Sequence, residues 1–307
     1  MSTYLVTGGA GFIGSHLCAA LLARGDAVRA LDDLSTGRRA NLPPEVALIE
    51  GDIADPAAVR EAMAGTAGCF HLAAIASVER GVTDWLGTHR ANLTGAITVF
   101  DAARAGRQPI VYASSAAVYG DAAALPITEA TPCRPLSAYG ADKLGCELHA
   151  HVASHVHGVP SVGLRFFNVY GPRQDPRSPY SGVISIFCER IRRGQPVDIY
   201  GDGEQTRDFV YVADVVAALL QSMRLAPAQA AVFNVCTGAA TSVLELAGTI
   251  AELTGMPAEL RHRPARSGEI RHSTGSPLLA RTTLGLGPPV RLRDGLRDVL
   301  DWLGEGG

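Results

Sequence analysis

Tyr139 and Lys143 sit four residues apart in Tyr139-Gly140-Ala141-Asp142-Lys143, a Y-x-x-x-K spacing. On a helix such residues share one face, so a phenol and an ammonium would project side by side. A cation beside a phenol favours its ionised form, which suits a group that must take and return a proton. Of the 27 basic residues in the chain, 26 are arginine, and Lys143 is the lone lysine. Arginine's rigid, permanently charged fork is a different partner from a compact ammonium, so this choice points to chemistry. Ser114-Ser115 follow the expected strand Ile110–Ala113. A serine there is ordinarily a turn former, but opposite Tyr139 its hydroxyl can hold the oxygen whose proton the phenol removes.

A glycine-rich turn lies far upstream. Thr7-Gly8-Gly9-Ala10-Gly11-Phe12-Ile13-Gly14 reads both as G-x-x-G-x-x-G and as G-x-G-x-x-G. Between a strand and a helix, such glycines permit a tight turn and let the backbone approach a pyrophosphate. They also let helix pack closely on strand, and the helix start supplies free N–H groups and partial positive charge. Asp32 follows the second apolar run. Its carboxylate can accept from both hydroxyls of an adenosine ribose and repels a 2′-phosphate, favouring NAD over NADP. Asp33 adds to that repulsion. Asp52-Ile53, past the third run, can meet adenine with an acid at its amine and an aliphatic group on its face, although Gly51-Asp52 alone reads as a common turn.

These residues need a scaffold, and the patterning supplies one. Apolar runs without two-residue alternation fall at 3–7, 27–31, 46–50, 68–72, 109–113 and 161–166. They are expected to be strands covered on both faces. Helical spacing separates them, most clearly over 12–24, 84–105 and 138–157. The alternation predicts an α/β fold, a doubly wound parallel (Rossmann) sheet with a smaller α/β C-terminal substrate domain. After Asn168 the turn formers Gly171-Pro172 and Pro176 break the rhythm. Helices are expected over 183–193, 213–223, 243–253 and 292–303, strands over 197–200 and 231–235, and a polar, arginine-rich stretch over 261–276. The division expected is residues 1–168 plus about 211–238 for the cofactor and about 169–210 plus 239–307 for the substrate.

Composition narrows the partners. The 307 residues carry a net charge of −3 with no basic tail, which disfavours nucleic acid or an anionic membrane as main partner. No apolar run is long enough to span a bilayer. The six cysteines are scattered without a C-x-x-C pair, so they are expected to be reduced, in a cytoplasmic protein.

Taken in order, the motifs resemble the extended short-chain dehydrogenase/reductases, and within them the nucleotide-sugar 4-epimerases. The resemblance rests on the glycine loop, His71-Leu72-Ala73-Ala74, the run Ala113-Ser114-Ser115-Ala116-Ala117-Val118-Tyr119-Gly120 and the Y-x-x-x-K. It continues through Arg165-Phe166-Phe167-Asn168-Val169-Tyr170-Gly171-Pro172 and Arg207-Asp208-Phe209-Val210-Tyr211-Val212, and so spans essentially the whole chain. It implies Ser115, Tyr139 and Lys143 as the catalytic set, with Lys143 also on the nicotinamide ribose. The implied NAD cradle is Gly8, Gly11, Phe12, Ile13, Gly14, Asp32, Asp33, Asp52, Ile53, Leu72, Ala73 and Ala74, closed by Tyr139 and Lys143. Sugar-nucleotide contacts are implied at Ser77, Ser115, Asn168, Val183, Tyr200, Arg207, Arg266, Glu269 and Ser273. Among these, Arg207 and Arg266 would meet the diphosphate, for which planar bidentate donors are apt, and Glu269 the uridine ribose. Asp33, where the family usually has Asn, and Gly81, where Ser is more usual, depart from the pattern.

Related dehydratases and decarboxylases carry acidic residues just after the catalytic hydroxyl. Here Ala116 and Ala117 stand there, leaving no group to expel water from C6. The resemblance therefore implies an NAD-using UDP-sugar epimerase working through a 4-keto sugar that turns over while its diphosphate stays held. Ser273 stands where glucose-only relatives have a large residue, so a 2-acetamido group has room. The segments Arg173-Gln174-Asp175-Pro176 and Ser178–Ile184 are similar to the N-acetylhexosamine epimerases. UDP-GlcNAc and UDP-GalNAc are the expected substrates, with UDP-Glc and UDP-Gal also accommodated. UDP-glucuronate epimerisation, a nucleotide-sugar dehydratase or reductase, and a catalytically silent NAD-binding sensor are the alternatives. His149, His151, His155 and His157 crowd one expected helix. Without H-E-x-x-H or paired cysteines they are read as a solvated or dimer-facing surface and no metal is expected. The apolar positions of the 84–105 and 138–157 helices suit a homodimer joined by a helical bundle.

Overall fold

The apolar runs of the N-terminal half fold as strands β1 (Thr3–Thr7), β2 (Ala27–Asp32), β3 (Ala47–Glu50), β4 (Gly68–His71), β5 (Ile110–Ser115) and β6 (Ser161–Phe166). With Ala231–Val235 they form one seven-stranded sheet in the order β3-β2-β1-β4-β5-β6 and then Ala231–Val235. Every pairing is parallel. The computed structural model describes residues 1–176, 182–225, 230–265 and 270–305. Strand order reverses at β1, so the carboxyl ends of β1 and β4 diverge and open the crevice where such sheets bind ligands. The fifth strand runs two residues beyond its expected end at Ala113, because Ser114 and Ser115 continue the ladder opposite Arg165 and Phe166.

Both faces of the sheet are covered, which is why its strands read as unbroken apolar runs. Helices Phe12–Ala23 and Val212–Leu225 bury Leu17, Leu21, Val215 and Leu219 against Val6, Phe70 and Val111. Helices Pro56–Met63, Gly95–Ala103 and Ala138–His157 bury Val59, Val99, Cys146 and Ala150 against Leu5, Ile110 and Tyr112 on the other face. The single helix expected over 84–105 is three pieces: Trp85–His89, a π turn over Arg90–Thr94, and Gly95–Ala103. Asp84 caps the first piece, accepting from Gly87 N at 3.0 Å. The wide turn presents buried Asn92, whose side chain accepts from Ile75 N at 2.8 Å and donates to Ile75 O at 3.2 Å. Widened turns of this kind recur where a helix must serve a site.

Beyond Asn168 a separate core forms. Helices Val183–Arg192, Val243–Thr254 and Leu292–Gly304 pack Ile184, Phe187, Leu246, Ile250, Leu296 and Val299 together. Three very short strands sit beside it, with Thr206–Arg207 between Thr241–Ser242 and His272–Ser273. Asn168–Tyr170 pairs in parallel with Phe209–Tyr211, joining this part to the end of β6. Leu260–Arg263, overlapping the polar, arginine-rich stretch expected over 261–276, is a strand parallel to Val197–Tyr200. All four of its residues are exposed, so no apolar alternation announces it. Helix Leu278–Leu284 buries Ala280 and Leu284 with Val215 and Leu219. That piece of the 239–307 segment, expected to serve the substrate, thus packs on the sheet. No helix among the described residues is long and apolar enough to cross a membrane.

Candidate active site

A cavity of about 500 Å³ opens above the carboxyl ends of β1, β4 and β5. Every residue expected to cradle the cofactor lines it. The glycine loop explains itself sterically. Gly8 has φ +68°, and a Cβ there would stand 2.7 Å from Ala73 N; at Gly14 it would stand 2.1 Å from Gly8 O. Gly11 precedes the Phe12–Ala23 helix with no side-chain cap and no acid in the first turn. The amides of that turn are therefore available to an anion, and the cradle fits a pyrophosphate. Asp32 is buried, its two carboxylate oxygens accepting from Ala10 N and Leu34 N, both at 2.9 Å. Burial pushes this carboxyl up, and the two amides oppose the shift. Each oxygen keeps a lone pair for a ribose hydroxyl. Asp33 is exposed and accepts from Ser35 N at 3.0 Å and Ser35 Oγ at 2.6 Å. Asp52 accepts from Ala54 N at 2.8 Å and pairs with Arg90 at 2.6 Å, so an adenine there would share the acid with an arginine.

Tyr139 and Lys143 enter the cavity from the Ala138–His157 helix. Ser137 starts that helix, its hydroxyl accepting from Gly140 N at 3.1 Å, which sets Tyr139 in the first turn. Lys143 is 2% exposed. Its Nζ donates to Ala113 O at 2.8 Å and lies 5.8 Å from the centre of the Tyr139 ring. Ser115 lines the cavity from the end of β5, its Oγ accepting from Ala117 N at 3.1 Å. Nearby His71 has Nδ1 2.8 Å from Thr7 Oγ1. Burial, and then the charge of Lys143, pushes its imidazole down to about 3, so His71 adds no charge beside the ammonium. The arrangement can remove a proton from a bound alcohol and hold the resulting oxygen.

On the substrate side, Asn168 lines the cavity and its N–H donates to Asp208 O at 3.0 Å. The remaining expected contacts among the described residues do not line the cavity itself. Ser77 caps a helix, its Oγ accepting from Arg80 N at 3.0 Å, which leaves its own proton for a ligand. Val183 opens the helix that follows the lining residue Gly182. Tyr200 is strand-paired with Arg263, and Arg207 with both Thr241 and Ser273. Arg266 and Glu269 lie outside the described residues, as does the Ser178–Ser181 part of the segment taken as similar to the N-acetylhexosamine epimerases.

Residue patterns alone did not single out Asp208, although it stands inside the Arg207–Val212 motif. It is fully buried and accepts from Thr237 N (2.8 Å), Thr237 Oγ1 (2.7 Å), Gly238 N (2.9 Å) and Gly275 N (3.2 Å). Burial pushes its carboxyl up. It ties the segment carrying Ser273 to the end of the last sheet strand. Arg38, which lines the cavity and pairs with Asp175, and Asn92 were missed for the same reason: an isolated polar residue carries no spacing signal.

The chain matches the model of the family described as NAD dependent epimerase/dehydratase over residues 4–236. It is 39% identical to the UDP-glucose 4-epimerase of Mycolicibacterium smegmatis over 97% of each chain. The structure superposes with a TM-score of 0.95 on the UDP-glucose 4-epimerase of Thermotoga maritima with UDP-glucose, 35% identical and covering 99% of both chains. It superposes with a TM-score of 0.94 on the UDP-N-acetylglucosamine 4-epimerase of Methanobrevibacter ruminantium in complex with UDP-N-acetylmuramic acid, 32% identical over 100% of this chain and 99% of that one. Gly14→Ala places a methyl against the Gly8 carbonyl, so NAD affinity is expected to fall roughly 10- to 100-fold, or about 1.4–2.7 kcal/mol, with the helical circular dichroism retained. Calorimetric titration checks this, and wild-type affinity in the variant would contradict the cradle.

Proposed function

The chain belongs to the NAD-dependent epimerase/dehydratase family, and on that premise we propose that it interconverts UDP-GlcNAc and UDP-GalNAc at C4 and also accepts the UDP-Glc/UDP-Gal pair. Bound NAD supplies a hydride acceptor and donor for C4 of the sugar. The protein's own work is the proton. Tyr139 Oη takes the proton of the sugar 4-hydroxyl and gives it back to the keto oxygen after the ring has turned. Lys143, fixed by Ala113 O, supports the phenolate, and Ser115 Oγ holds the reacting oxygen. Gly8–Gly14 and Asp32 hold the cofactor so that it is reused at each turnover.

The observation that carries the N-acetylhexosamine reading is the small side chain of Ser273, strand-paired with Arg207. A short side chain beside an arginine suited to the diphosphate is compatible with a large substituent at C2 of the sugar. The absence of an acid at Ala116 and Ala117, in the turn just after Ser115, supports epimerisation over loss of water. The six free thiols, all but Cys133 buried, suit a reducing, cytoplasmic setting.

A homodimer belongs to the same reading. Leu148, Val152 and Val156, four residues apart on the Ala138–His157 helix, are exposed, as are Trp85 and Leu86 on a helix packed against it. An apolar row of this kind is a natural face for a second copy. Light scattering is expected to give about twice the 32.1 kDa of one chain, and a single-chain mass would contradict the dimer.

The purified protein should convert UDP-GlcNAc to UDP-GalNAc, followed by proton NMR beside UDP-Glc and UDP-glucuronate. Tyr139→Phe is expected to lower kcat by roughly 100- to 10,000-fold. Turnover of UDP-glucuronate alone would overturn the sugar assignment, and no turnover of any UDP-sugar would favour a silent NAD-binding protein.

A further inference from the structure

Behind the reactive residues lies a buried polar chain that the proton transfer does not use. Glu147 stands four residues beyond Lys143 and eight beyond Tyr139, so all three lie along one helix face. Glu147 Oε1 accepts from Ser114 Oγ at 2.5 Å and from Arg165 Nε at 2.8 Å, while Oε2 accepts from Arg165 Nη2 at 2.6 Å. Arg165, on β6, is oriented from behind. Its Nη1 donates to Tyr119 Oη at 2.7 Å, and its guanidinium lies 4.8 Å from the centre of the Tyr119 ring. Ser114, Glu147 and Arg165 are all buried. Burial opposes the charge on Arg165, yet the Glu147 carboxylate holds its proton above the usual range.

A buried ion pair is poor evidence of stabilisation, since desolvation offsets much of its attraction. Its position is informative. Ala113, Ser114 and Ser115 are consecutive on β5. The first is bonded to Lys143, the second to Glu147, and the third faces the cavity. Two helix residues thus grip the strand immediately before the serine that lines the same cavity as their own Tyr139.

We infer that Glu147, locked by the Arg165 fork, is a positioning residue that acts through Ser114 to set the distance between the Ser115 hydroxyl and Tyr139. Both must reach one substrate oxygen, so the register between helix and strand decides how well the proton is transferred. The inference rests on the epimerase reading, with Ser115 as the group being positioned.

A double-mutant cycle tests it, with chains checked by melting temperature and bound NAD. Ser114→Ala removes the contact and leaves the Glu147–Arg165 pair intact. Its kcat for the UDP-hexose turned over by the wild type is expected to fall about 10-fold with KM within about twofold, as for a small misplacement of reacting groups. In a Ser115→Ala background the same change is expected to alter single-turnover rate by less than about twofold, because nothing remains to be positioned. Glu147→Asp, which keeps the charge but withdraws it from Ser114, should behave alike and serves if Ser114→Ala does not fold. An equal loss in both backgrounds, or no loss in either, overturns the inference. A wild-type protein that turns over no UDP-sugar would instead overturn the epimerase reading, leaving the two failures distinguishable.

Discussion

An ammonium withdrawn from water is expensive unless its surroundings replace what the solvent gave. For Lys143, 2% exposed beside the Tyr139 ring, that replacement is the Ala113 carbonyl. This contact fixes the helix that carries the phenol to the strand that carries the serine. In the proposed reaction the ammonium also sets a positive charge beside the proton-accepting phenol. The fold around it reads as the apparatus needed to keep that charge buried and correctly placed. Seven parallel strands covered on both faces give a rigid floor, and the reversal of strand order at β1 gives the opening.

The sheet with its helices and the part beyond Asn168 are packed separately. The sheet and its helices form a cradle with little freedom, because Gly8 and Gly14 leave no room for even a methyl group. The part built on Ile184, Phe187, Leu246 and Leu296 joins it through short pairings, Asn168–Tyr170 with Phe209–Tyr211, and through the Asp208 carboxylate. A rigid cradle for the cofactor beside a separately packed part would suit the proposed reaction, in which the sugar ring turns over while its diphosphate stays held.

Much of this was legible in the residues, and the exceptions have physical reasons. Long apolar strands and helices such as Ala138–His157 show themselves because burial on one or both faces leaves a period. The glycine loop and the Y-x-x-x-K show themselves because backbone approach and helix geometry demand fixed spacings. The exposed strand Leu260–Arg263 has no period to show. The π turn at Asn92 has no residue-type signature of its own, and ordinary helical pieces flank it on both sides. The roles of Asp208, Glu147 and Arg165 were hidden because each acts through partners distant in the chain, Thr237, Ser114 and Tyr119 among them. Polar partnerships of that kind are set by topology, which residue types alone do not specify.

In the proposed reaction hydrogen leaves C4 of the sugar as hydride and returns to the same carbon from the other side, while only the hydroxyl proton passes through Tyr139. A UDP-sugar carrying deuterium at C4, turned over in ordinary water and analysed by NMR, tests this directly. Epimerised product with the deuterium still at C4 and no exchange from solvent is the expected result. Loss of the label to water, or retention with no inversion at C4, would rule out that hydride route.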